Sequence, residues 1–279
     1  MSTLKILIPT DFSVQAEFAY LMVQKLREKA NVEIHFVHVL NVPDTVTMSD
    51  DGKISTCGEI DVNYVVQQKQ IAERKLENLK TLYGQHIQAH LQLGKTTDTV
   101  ISFAEKGSYD LIAMGTKGAW GLKEKLSGSE TQMVARRSVI PVLSLMCDRS
   151  DLVIENILLV HDFHEQDGQD LELLRKLVKA FGTKVHLLQI IKDESESTRE
   201  KVLNNMSAFV KAHDLVNTEF HTLYDKDIES GVIHFNQISE MDIICMGTHG
   251  KAGLFHTSAT EKLINHMFKP IISYHIKSK

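Results

Sequence analysis

Gly115, Gly118, Gly128 and Ser129 stand at the spacing Gly-x2-Gly-x9-Gly-Ser. Residues without a Cβ let a backbone reach φ > 0 and come close to a ligand. A glycine-rich loop can also turn several N–H groups toward one anion. The stretch follows the short apolar run Asp110-Leu111-Ile112-Ala113-Met114 and precedes Glu130-Thr131-Gln132-Met133-Val134-Ala135. It therefore reads as a loop from a buried strand to a helix N-terminus, where the helix dipole favours negative charge. Ser129 is placed to cap that helix, and its hydroxyl and N–H can also hold a phosphate. The chemistry predicted here is phosphate binding.

Other chemical patterns are weaker. Gly94-Lys95-Thr96 looks like the end of a P-loop, but Ala89 stands where the first glycine belongs, so a turn into a helix is the simpler reading. His161 and His164, with His249 nearby in the expected fold, form a His-x2-His pattern without a third sure ligand. Trp120 lies inside the glycine loop and could cover a phosphate or a partner. Cys245 sits in an apolar run and reads as a small core residue. No Ser-His-Asp order with a nucleophile elbow is present. No carboxylate pair is spaced to hold Mg²⁺ for phosphoryl transfer.

The elements that must position the loop follow from periodicity. Lys5-Ile6-Leu7-Ile8-Pro9-Thr10 is a short apolar strand ended by Asp11-Phe12-Ser13, with Ser13 as the N-cap of a helix. Glu33 to Leu40 is rich in β-formers and reads as a second strand. Val42 to Asp61, with Pro43, Gly52 and several Asp and Ser, reads as irregular. A long helix with a charged face follows, about Val62 to Tyr83. His86 to Leu93 alternates as a half-buried strand does, and Thr97 with Asp98 can start the next helix. After the glycine loop and its helix, Ile140 to Leu145 is a last strand that starts late or lies at an edge because of Pro141. Strands alternating with helices predict an α/β fold with a parallel sheet.

The pattern then repeats. Asn156-Ile157-Leu158-Leu159-Val160-His161-Asp162-Phe163 echoes the first strand, Lys184 to Ile191 the second, and Lys269-Pro270-Ile271-Ile272-Ser273 the last. Asp242 to Gly250 repeats Asp110 to Gly118 almost residue for residue. A repeat of this size means duplication of a whole domain, here 1–148 and 151–279.

The chain has 279 residues, a net charge of -5, 43% hydrophobic and 24% charged residues. That composition fits a globular protein and argues against a general nucleic-acid binder. No apolar run is long enough to span a bilayer, and the N-terminus lacks a signal-peptide layout, so no membrane is expected. Three separated cysteines, Cys57, Cys147 and Cys245, fit a reducing cytoplasm without a disulfide framework.

Together the loop, Asp11 and the repeat resemble the universal stress protein family in its tandem two-domain form, over nearly the whole chain. The loop is similar to that family's ATP-binding Gly-x2-Gly-x9-Gly-Ser/Thr signature. The resemblance implies two domains, each a five-stranded parallel sheet of order 3-2-1-4-5 with helices on both faces, packed as a pseudo-dimer. It implies an adenine nucleotide (ATP, or AMP or ADP, with or without Mg²⁺) over the carboxyl ends of the strands. By resemblance Asp11 meets the ribose or adenine and Val39 packs on the base. Met114 and Gly115 border the nucleotide, and Gly118, Gly128, Ser129, Glu130 and Thr131 hold the phosphates. An acceptor-only carboxylate suits a sugar hydroxyl and not a phosphate, so the role of Asp11 is chemically coherent.

In the second copy, Asp162, Ile190, Met246, Gly247 and Gly250 correspond to Asp11, Val39, Met114, Gly115 and Gly118. The loop to Thr257-Ser258 is three residues shorter, and Thr257 stands where the first copy has Gly128. The expectation is one nucleotide per chain, in the first half, with the second site empty or altered. The expected role is a cytoplasmic nucleotide-dependent stress-response module without rapid turnover, acting on an unknown protein partner. A slow ATPase or nucleotidyl-transfer enzyme, a nucleotide-free interaction module, and further homodimerisation all stay open.

Overall fold

The structure, a computed structural model, describes residues 3–49, 51–116, 130–163, 171–248 and 259–275. The first half runs β1 (Leu4–Pro9), α1 (Val14–Arg27), β2 (Val32–Leu40), β3 (Val46–Met48), β4 (Ile54–Thr56), α2 (Val62–Tyr83), β5 (Gln88–Leu93), α3 (Thr96–Lys106), β6 (Leu111–Gly115), α4 (Glu130–Arg137) and β7 (Val142–Leu145). The second half runs β8 (Asn156–Val160), α5 (Glu172–Phe181), β9 (Lys184–Ile191), α6 (Glu196–Ala212), β10 (Thr218–Tyr224), α7 (Ile228–Ile238), β11 (Ile243–Thr248), α8 (Ala259–His266) and β12 (Ile271–His275).

Ten of these strands form one sheet of order β10-β9-β8-β11-β12-β7-β6-β1-β2-β5. Within each half the pairing is parallel and the order is 3-2-1-4-5. The halves meet where β7 and β12 pair antiparallel, Leu143 opposite Ile272. The two five-stranded sheets are thus one continuous surface. Period-2 alternation sends Leu4, Ile6 and Ile8 to one face and Leu7 to the other. α1, α2, α5 and α6 cover the first face, and α3, α4, α7 and α8 the second. Both cores run through the seam: Leu143 and Ile272 share one cluster, Val142 and Ile271 the other. The Gln132 side-chain amide also donates to the Glu261 carbonyl across it, at 2.7 Å.

Pro141 lies just before β7, so its missing N–H falls outside the ladder. The strand starts late, as one of the two expectations has it, and is interior rather than at an edge. Ser13 caps α1, its hydroxyl accepting from Ala16 N–H at 3.4 Å. The stretch Val42 to Asp61, expected to be irregular, contains the β3–β4 hairpin over its own small cluster of Val42, Val46, Ile54 and Val65. Three-residue strands are too short to show alternation, which is why the sequence hid them.

The halves differ after their first strands. α1 starts at Val14, directly after the cap that follows Asp11, whereas α5 starts only at Glu172, well beyond Asp162. α5 leans over the seam, and Lys176 Nζ reaches Asp110 Oδ1 of the first half at 2.8 Å.

Each half buries a stacked histidine pair at equivalent places, His35 with His90 and His186 with His221. Burial, with like charge nearby, holds His90 and His186 below the usual imidazole range; burial does the same for His221, His213 and His86. The unfolded chain takes up these protons near pH 6.5 and the folded chain only at lower pH. Between the two the unfolded state holds more protons, so stability rises with pH there. Thermal melts are therefore expected to show a lower midpoint at pH 5 than at pH 7, with a smaller drop in His90→Gln. An equal drop in that variant would rule His90 out as a contributor.

Candidate functional site

A cavity of about 150 Å³ opens at the carboxyl ends of β1, β2 and β6, between neighbours whose connections leave in opposite directions. In an α/β sheet that crevice is the usual ligand site. β1 and its turn supply Pro9, Thr10 and Asp11; β2 supplies Val37, His38 and Val39; β6 supplies Met114 and Gly115. The N-terminal turns of three helices close it: Ser13, Gln15 and Ala16 before and in α1, Thr96 and Val100 of α3, Glu130 and Thr131 of α4. Helix N-termini point unpaired N–H groups and positive dipole ends at whatever sits there.

Asp11 is exposed at the rim, its Oδ1 accepting from Ser13 N–H at 3.0 Å. That bond leaves Oδ2 able to accept from a ligand. Phe12 adopts φ +65°, a left-handed conformation uncommon for a bulky residue. Its N–H is held by Thr10 Oγ1 at 2.9 Å. The bend aims Asp11 along the end of the sheet. Phe163 repeats it in the second half at φ +54°, with its N–H donated to His161 Nδ1 at 2.7 Å.

Gly115 does not use the left-handed region open to a glycine. A Cβ on it would lie 2.0 Å from the Gln15 carbonyl oxygen, so its bareness lets α1 approach β6. Thr131 is buried and its hydroxyl donates to Gly115 O at 2.9 Å, which ties the start of α4 to the end of β6.

Six of the nine residues expected in the first site thus line one cavity: Asp11, Val39, Met114, Gly115, Glu130 and Thr131. Gly118, Gly128 and Ser129 lie outside the described residues, as does Trp120. His38, Ser13, Gln15, Thr96 and Val100 were not anticipated. His38 Nδ1 donates to Thr10 O at 2.7 Å, leaving its Nε2 lone pair free to accept. The signal for it was present: His38 and its counterpart Gln189 are polar inside otherwise apolar strand ends. Of Gly94-Lys95-Thr96 only Thr96 reaches the wall of this cavity, and Lys95 pairs with Asp44 at 2.9 Å.

The universal stress protein family matches residues 3–145, just over half of the chain. The chain belongs to that family. Two universal stress proteins of Methanocaldococcus jannaschii resemble it: MJ0531, 29% identical over 139 residues (50% of this chain, 79% of that one), and MJ0577, 29% identical over 149 residues (50% and 92%). The crystal structure of a universal stress protein from Archaeoglobus fulgidus has the same fold over 98% of this chain and 97% of its own, with a TM-score of 0.74 at 22% identity.

This universal stress protein also has a cavity of about 200 Å³ at the same place in its second half. Asp162, Ile190, Met246 and Gly247 line it, while Gly250, Thr257 and Ser258 lie outside the described residues. Thr260 Oγ1 donates to Gly247 O at 2.9 Å, as Thr131 does to Gly115. The separation is 13 residues against 16, which fixes the second loop as three shorter. In that register Ala259 replaces Glu130, Ile228 replaces Thr96, His161 replaces Thr10 and Gln189 replaces His38. Among the described residues, no part of α5 reaches this cavity, whereas α1 walls the first.

His161 is a core residue, its ring packed against Phe163 and Phe209. His164 and His249, the other members of that weak pattern, lie outside the described residues. Cys245 is buried as expected, and burial pushes its thiol up to about 12, which makes it inert. No described helix is long and apolar enough to cross a membrane.

Proposed function

We propose that the first half, residues 1–148, binds one adenine nucleotide, ATP in keeping with the family's loop signature, and that the second half, 151–279, does not bind it in the same way. The observation that carries this reading is the convergence of Asp11, Val39, Met114, Gly115, Glu130 and Thr131 on one cavity at the sheet's switch point. Val39 and Met114 offer an apolar wall to a base. Asp11 accepts from a ribose hydroxyl. The N-terminus of α4, with the loop 117–129 leading into it, receives the phosphates, with Gly118, Gly128 and Ser129 as donors of close backbone approach and hydroxyl contact. Mg²⁺ accompanies the phosphates as a counter-charge rather than through a protein carboxylate pair.

In the second half the loop is three residues shorter, and apolar Ile228 and Ala259 stand where Thr96 and Glu130 stand in the first. Those changes support a site that is empty or takes another ligand. Bound nucleotide favours one arrangement of the loop, and that arrangement is what a protein partner reads. The role is stress-response signalling without rapid turnover, in a reducing compartment such as the cytoplasm that suits three free cysteines.

Asp11→Ala tests the site. A hydrogen bond to a charged group is worth about 1.5–3 kcal/mol, so ATP affinity is expected to fall about tenfold or more with the melting temperature held. Unchanged affinity in a calorimetric titration would remove Asp11 from the site.

A further inference from the structure

We propose that the second half carries a divalent transition-metal site of the zinc type, built from His186 of β9 and Glu219 and His221 of β10. Side chains two residues apart on a strand face the same side, and Glu219 is the register partner of His186. The three therefore gather on one face of the sheet, and all three ligand atoms lie within 4.8 Å of one another. His186 Nδ1 and His221 Nε2 are 3.0 Å apart. Two bonds of about 2.0–2.1 Å at a tetrahedral angle need nitrogens about 3.3 Å apart. Glu219 Oε1 stands 3.7 Å from His221 Nε2, and its other oxygen is oriented by Lys184 Nζ at 3.2 Å. Two imidazoles and one carboxylate, with water in the fourth position, suit Zn²⁺.

The surroundings fit ligation. His186 Nε2 faces Asn156 Oδ1 at 3.1 Å. A carbonyl oxygen only accepts, so the proton sits on Nε2 and Nδ1 presents its lone pair. Metal-bound histidines are held by such an outer partner. His221 coordinates through Nε2 by carrying its proton on Nδ1, so no proton need leave the site.

The first half supplies an internal comparison. His35 and His90 form the equivalent pair, with Nδ1 and Nε2 2.9 Å apart. There the Tyr109 hydroxyl sits 2.8 Å from His35 Nδ1, the nitrogen that also faces His90. Glu33 lies on the other ring nitrogen of His35, at 2.6 Å. The counterparts of Tyr109 and Gln88 in the second half are Met241 and Glu219. The hydroxyl that closes the first pair is gone, and a carboxylate has arrived beside the second.

Metal-free full-length protein titrated with Co²⁺ tests this through the visible absorption of a low-coordinate ion. One Co²⁺ per chain, displaced by Zn²⁺, is expected. Glu219→Gln and His221→Ala are expected to lose the band, and Asn156→Ala to weaken binding about 10–100-fold. His90→Ala is expected to leave it unchanged. Glu219 is exposed, so its isosteric amide reads ligation even where a histidine variant misfolds. Absence of a band at millimolar Co²⁺, a band retained in Glu219→Gln, or one lost in His90→Ala would each overturn the assignment and leave a hydrogen-bonded histidine pair only.

Discussion

Gly115→Ala is expected to destabilise the protein by about 3 kcal/mol or more and to weaken nucleotide binding together with it. The added carbon would lie 2.0 Å from the Gln15 carbonyl oxygen, 2.3 Å from its carbonyl carbon and 2.8 Å from its Cβ. Two of these atoms are backbone, so no side chain can swing aside, and α1 must move away from β6. Moving α1 displaces Ser13, Gln15 and Ala16, which form one wall of the cavity. It also strains the tie between Thr131 and Gly115 O that seats α4. Gly182 is the contrasting case: a Cβ there meets nothing within 4 Å, and only its left-handed φ of +71° resists substitution. Gly182→Ala should therefore cost only about 1–2 kcal/mol. Urea unfolding of both variants checks the order. A Gly115→Ala cost at or below that of Gly182→Ala would show that β6 and α1 do not meet as described.

Leu143→Ala is expected to cost about 2–5 kcal/mol and to lower the stability of both halves together. Leu143 is fully buried in β7 and faces its ladder partner Ile272 of β12. Its cluster reaches Leu4 and Phe36 on one side and Leu187 and Phe209 on the other, so the cavity left behind belongs to both halves. The wild-type protein should unfold in one cooperative transition, and the variant in one transition at lower denaturant. Two separated transitions, with only the first-half transition moved, would contradict a shared core at the seam.

The strands themselves were legible because the second copy repeats the first and because buried parallel strands such as Ile6-Leu7-Ile8 read as unbroken apolar runs, while the strand order and the pseudo-dimer followed from the family resemblance. Pro141 left two readings for the last strand, a late start or an edge position, and the antiparallel β7–β12 pair shows the late start in an interior strand. The β3–β4 hairpin was hidden by strands of three residues, and the late start of α5 by the absence of any cap signal; Leu171 precedes it with no side-chain cap. For the site, Asp11, Val39, Met114 and Gly115 were assigned through the family resemblance, and they lie at or beside strand ends. His38 carried a signal as a polar residue in an apolar strand end, whereas Thr96 and Val100 carried none, since they reach the cavity through the meeting of β2 and α3, elements that no local pattern relates. The role of Gly115 was read as room for a ligand, whereas its bareness makes room for Gln15. Only the packing of α1 reveals that.

Binding stoichiometry tests the central claim of an asymmetric pair most directly. Isothermal titration of the full-length protein with Mg·ATP is expected to give one site per chain, lost or strongly weakened in Asp11→Ala and retained in Asp162→Ala. Two equivalent sites, or one site abolished by Asp162→Ala and untouched by Asp11→Ala, would contradict the assignment of the nucleotide to the first half.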